Sequence, residues 1–135
     1  MIITANQNNI EPGQQVNRLG KYLYKNLDGA YKIDRSGNTC DVYVTLLYQL
    51  PKDQRIPGKG KEYNDVHEMT LDINITTYSK GLRLYVIELT PEERTIGYMM
   101  YPYEKLKNLE FFTKTMYNDM KKQVSKKYID YDFLF

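Results

Sequence analysis

From Glu68 to Ile75 the chain alternates strictly: Met69, Leu71, Ile73 and Ile75 against Glu68, Thr70, Asp72 and Asn74. A period of two puts the apolar set on one face of a strand and the polar set on the other. Ser79-Lys80-Gly81 follows, and Leu82, Leu84 and Val86 then alternate with Arg83 and Tyr85 before Ile87 and Leu89 blur the pattern. The spacing predicts a hairpin, with Gly81 expected to supply the positive φ of a tight turn. A sheet with one apolar face needs a cover, and the chain offers a helical pattern on each side of it.

Residues 1–10 carry no periodicity and are expected to be a mobile arm. Pro12 stands where a first helical residue would, and Val16, Leu19, Leu23 and Leu27 follow at helical spacing until Asp28-Gly29. Gly13 and Gly20 weaken this helix by up to ~1 kcal/mol each, so packing must hold it. Tyr31 to Arg35 predicts a short strand and Ser36-Gly37-Asn38 a turn. Behind the turn Cys40, Val42, Val44, Leu46, Tyr48 and Leu50 alternate with Asp41, Tyr43, Thr45, Leu47 and Gln49. That second set is only partly polar, which suggests a central strand or one whose outer face meets a partner.

Pro51 to Asn64 reads as a long loop. After the hairpin, Thr90 to Glu93 predicts a turn and Thr95 to Tyr101 a strand with Gly97 as a bulge. Pro102 is expected to open a helix running to about Lys127, with Leu106, Leu109, Phe112, Met116, Met120 and Val124 as its apolar stripe. The expected fold is therefore α+β, a single antiparallel β-meander of four to five strands flanked by an N-terminal helix and a long C-terminal helix. Residues 11–128 form the domain and 129–135 an extended hydrophobic tail. Turns this short do not allow parallel crossovers.

Composition adds bounds. The 135 residues suit one domain with a core of its own, and a net charge of +2 does not by itself argue for nucleic acid. A single cysteine, Cys40, forms no internal disulfide. No secretion signal is expected from the first residues, and no apolar run approaches the ~20 residues of a membrane span, so a cytoplasmic or virion-incorporated protein is the expectation. Fourteen tyrosines beside abundant Lys, Asn and Ile fit an AT-rich coding sequence.

Candidate chemistry is sparse. His67 and Cys40 stand alone in their types, so neither a His/Cys metal cluster nor a convincing nucleophile–base pair is expected. Glu68 and Asp72 lie roughly 13 Å apart along one strand. Ser36, Ser79 and Ser125 sit in no nucleophile elbow, and Pro57-Gly58-Lys59-Gly60-Lys61 lacks the spacing of a phosphate loop. No catalytic, cofactor-binding or metal-ligating residue is assigned. Lys52, Arg55, Lys59 and Lys61 could track a nucleic-acid backbone, which is the alternative function.

The tail is the stronger signal. Ile129, Tyr131, Phe133, Leu134 and Phe135 crowd five large apolar side chains into seven residues. They either return to their own sheet as a last strand or add to another chain, and Tyr131, Phe133 and Phe135 are expected to contact a partner. The helix–meander–helix order over about residues 11–127 is similar to that of small neck and tail-completion proteins of tailed phages. That resemblance implies a non-enzymatic assembly subunit whose partners are other protein chains, a homo-oligomer or an assembly partner.

Overall fold

A computed structural model describes residues 12–49, 66–102 and 109–135. The arm at 1–10, the loop at 51–64 with Lys52, Arg55, Lys59 and Lys61, and Leu106 lie outside the described residues. So does the side chain of Leu109.

The chain runs α1 (Pro12–Asn26), β1 (Ala30–Ser36), β2 (Thr39–Gln49), β3 (His67–Tyr78), β4 (Gly81–Thr90), β5 (Arg94–Pro102), α2 (Leu109–Lys127) and β6 (Asp132–Phe133). Strands β1 to β5 form an antiparallel meander in sequence order, and β6 pairs with β2. The expected α+β architecture is the observed one.

One parity of each strand faces the helices. Cys40, Val42, Val44 and Leu46 on β2, Met69, Leu71, Ile73 and Ile75 on β3, and Leu82, Leu84 and Val86 on β4 are buried in one cluster. Val16, Leu19, Leu23 and Leu27 of α1 and Phe112, Met116, Met120 and Val124 of α2 close it from the same side. Burying each such side chain contributes about 1.5–3 kcal/mol against leaving it in water. Helix α1 lies across β1, β2 and β3 and also touches α2. Its close approach depends on Gly20, because a Cβ there would meet the Cys40 sulfur. Burial pushes the Cys40 thiol up to about 11, so it stays protonated and serves as a small core group.

Glycine supports the turns differently from expectation. Gly37, with φ of 60°, turns β1 into β2 as a tight hairpin requires. Gly81 is not at positive φ. It pairs with Tyr78 across the hairpin and with Pro102 on β5, and a Cβ there would strike the Tyr101 carbonyl oxygen. The reason for glycine is the closeness of the neighbouring strand.

Two further details concern β5. Val86 pairs with Gly97 and Ile87 with Thr95, so the bulge falls on Ile96, beside the expected Gly97. Pro102 is the last residue of this strand, and the helix is described from Leu109; the expected helix start between them lies outside the described residues. Strand β5 is at the sheet edge, where a residue lacking an N–H is tolerated.

Candidate interaction surface

The C-terminal tail is placed by aromatic stacking and a few backbone bonds. After α2, Tyr131 N–H donates to the Tyr128 carbonyl at 3.1 Å and the chain reverses toward the sheet. Phe133 pairs with Tyr48 and Asp132 with Gln49, while Leu134 N–H donates to the Leu47 carbonyl at 2.9 Å. Strand β1 covers the same edge of β2 only from Thr39 to Val44. The tail therefore continues the sheet edge where β1 stops.

Rings hold it there. Tyr131 stacks on Tyr48 at 4.4 Å and on Tyr128 at 5.5 Å, His67 lies 5.5 Å beyond Tyr48, and the Arg94 guanidinium sits 5.1 Å over Tyr128. This column joins β5, the tail, β2 and β3. Aromatic pairs in such offset geometry contribute about 0.5–1.5 kcal/mol beyond the area they bury.

Of the five residues assigned to the tail, the structure thus puts Tyr131 and Phe133 on their own sheet. The other three face outward: Ile129 is 80% exposed, Leu134 50% and Phe135 45%. Ile129 and Phe135 line an open groove of about 850 Å³ along α2, together with Met99, Lys121, Lys122 and Lys126. The Lys121 ammonium stands 5.7 Å from the Phe135 ring, within cation–π range.

A buried acid anchors the start of the tail. Glu88 is fully buried on the covered face, on the same parity as Leu82, Leu84 and Val86. Its carboxylate accepts from the Tyr128 hydroxyl, from Arg94 Nε at 3.0 Å and from Glu92 N–H at 2.9 Å. The bond from Arg94 to Glu88 raises the arginine's already high pKa, so the guanidinium stays charged. Three donors on one carboxylate make a clamp that ties the end of α2 to the β4–β5 turn. The sequence does not single out Glu88, because the apolar Ile87 and Leu89 on either side of it blur the alternation. The parity itself was the available signal.

The opposite face of the sheet carries no helix among the described residues. Asp34, Asp41 and Asp72 lie on neighbouring strands there, since Asp34 pairs with Asp41, Asp41 with Asn74, and Tyr43 with Asp72. Asn74 Nδ2 donates to Asp41 Oδ1 at 2.8 Å. Asp72 is pushed up to about 8 by burial, by a hydrogen bond to Asp41 and by the charges of Asp41 and Asp34. Its Oδ1 is buried with no hydrogen-bond partner. Toward β5 the face becomes basic and aromatic. Arg83 lies between the rings of Tyr78 and Tyr85, at 5.2 and 4.9 Å, and its Nε is buried without a partner. Tyr98 and Met100 beside it are 63% and 48% exposed.

Among the described residues no group of three or more His, Cys, Asp or Glu side chains could hold a metal ion, and no helix is long and apolar enough to cross a membrane. Comparison with protein-family models, with curated proteins and with solved structures finds no match. What the geometry offers is surface: an apolar rim at the tail and an open sheet face.

Proposed function

We propose that the chain is a non-enzymatic structural or interaction protein, a subunit of a larger assembly of the kind that neck and tail-completion components form in phage virions. The observation that carries this reading is the division of the tail. Tyr131 and Phe133 fix the segment in place, and Ile129, Leu134 and Phe135 are left facing water around one groove. Exposed apolar side chains held on a rigid base favour contact with another protein, because little ordering entropy remains to be lost on docking. The lysines of α2 beside them give that contact a preference for an acidic or polar-rimmed partner. Such a subunit works in the cytoplasm or within the particle it completes.

The test is the triple variant Ile129→Asp, Leu134→Asp, Phe135→Asp, compared with wild type by light scattering and by photo-crosslinking from position 134 in cells that make the protein. The reading predicts an unchanged melting temperature and loss of the crosslinked polypeptides. A crosslink pattern identical in wild type and variant contradicts it. The alternative, a nucleic-acid module using Lys52, Arg55, Lys59 and Lys61, prevails if wild type binds DNA at micromolar strength and the quadruple alanine variant does not.

A further inference from the structure

The open face of the sheet carries an arginine and an aspartate, Arg83 and Asp72, each with one polar atom that lacks a partner, and the fold keeps them apart. Arg83 on β4 pairs with Thr76 on β3, whereas Asp72 lies four residues before Thr76. That is roughly 13 Å along the strand, too far for the two side chains to meet in one molecule. Both have a buried polar atom with no partner, Arg83 Nε and Asp72 Oδ1. A buried unpaired group of this kind costs about as much as a lost hydrogen bond, so any contact that moves either side chain into a paired position has something to gain.

Midway between them lies the pair Asn74 and Tyr85. A two-fold axis lying in the plane of the interface and crossing the strands at that pair maps the Arg83 position of one copy onto the Asp72 position of the other, at both ends at once. We propose that the open sheet face is the interface of a symmetric dimer, two sheets stacked face to face, in which Arg83 of each copy lies on the Asp72 carboxylate of the second. This rests on the assembly-subunit reading and names one of its contacts.

The face is large enough. Five strands about 4.8 Å apart, and nine to twelve residues long in β3 to β5, present roughly 700 Å². Stable interfaces bury about 600–1,000 Å² per partner. Its side chains also suit sheet stacking. Tyr85, Ile87 and Leu89 are half-buried along β4, and Tyr98 and Met100 stand out from β5. Aromatic and methionine side chains with one arginine among them are the composition that interface centres favour. The raised pKa of Asp72 agrees, since its carboxylate lacks a cation in the single chain.

The experiment is the mass of the full chain by light scattering at roughly 100 µM, well above a micromolar dissociation constant. Wild type is expected at twice its 16.0 kDa chain mass. Arg83→Asp, and independently Tyr98→Asp, should each give folded chains of single mass, with folding checked by circular dichroism. The exchange Arg83→Asp with Asp72→Arg should restore the dimer. Tyr98 is exposed, so its variant folds even if a charge reversal at Asp72 does not. Wild type of single mass overturns the proposal, as does a dimer that survives both Arg83→Asp and Tyr98→Asp. If the dimer survives both but is lost in the Ile129, Leu134 and Phe135 variant, the assembly reading stands and this interface does not.

Discussion

The two faces of one sheet treat charge in opposite ways. The covered face holds a single described acid, Glu88, and gives it three donors. The open face holds Asp34, Asp41 and Asp72 close together, and it leaves one oxygen of Asp72 and the Nε of Arg83 without partners. Within a core, an unmatched carboxylate is too costly to keep, so Glu88 persists only as part of a clamp. On the open face the same deficit is kept, and it shows as the raised pKa of Asp72.

The sharpest way to break this contrast is to damage the clamp. Glu88→Gln keeps the shape but removes the charge that Arg94 and Tyr128 are arranged around. Arg94 is 39% exposed, so the loss is that of hydrogen bonds to a buried acid, about 1.5–3 kcal/mol, and a thermal melt should fall by roughly 5–10 °C. A loss of only a degree or two would show that the clamp is incidental.

Next comes the tail. Tyr131→Ala removes the ring between Tyr48 and Tyr128 and should cost about 2 kcal/mol, with faster amide exchange at Leu134 than at the centre of β3. Unchanged exchange at Leu134 would mean that the backbone bond to Leu47 alone holds the segment.

A smaller effect is expected at Gly20. Alanine is the better helix former by about 1 kcal/mol, yet Gly20→Ala should still destabilise by about 1 kcal/mol net because its methyl meets the Cys40 sulfur. Adding Cys40→Ala should recover much of that loss. Equal losses in the single and double variants, read from urea unfolding, would rule out the steric cause.

How much of this was legible beforehand follows from where each signal lies. Leu71, Ile73, Leu84 and Val86 declare their face because alternation is a local property of the chain. Glu88 obeys the same parity but was hidden, since Ile87 and Leu89 are apolar on the open face and an acid among leucines reads as outward. Its donors Arg94 and Tyr128 come from other elements and could not be inferred from spacing. Tyr131 and Phe133 announced an extended, sticky segment, but its docking place at Tyr48 and Gln49 is set by the gap β1 leaves on β2. Pro102 is ambiguous in the sequence, since a proline suits a helix start and a strand end equally well; the structure puts it at the end of β5. The face of Arg83 was legible from its place between Leu82 and Leu84, and the want of a partner for its Nε was not.

The most direct measurement of the contrast sets Asp72 against Glu88. For Asp72 the folded-state pKa is near 8 against 3.8 for the free side chain, so the folded chain binds its proton more tightly than the unfolded chain does. The stability this gives is fully present below 3.8 and is lost as pH rises toward 8. Asp34, Asp41, Lys32 and Tyr43 are the neighbouring ionisable groups on that face and remain unchanged in Asp72→Asn. Melts of Asp72→Asn and Glu88→Gln should be run side by side at about pH 8.5 and at about pH 4, at concentrations low enough for single chains. At the higher pH the account predicts opposite signs, a rise for Asp72→Asn and a fall for Glu88→Gln, with the rise vanishing at the lower pH. A fall for both at about pH 8.5 would contradict it.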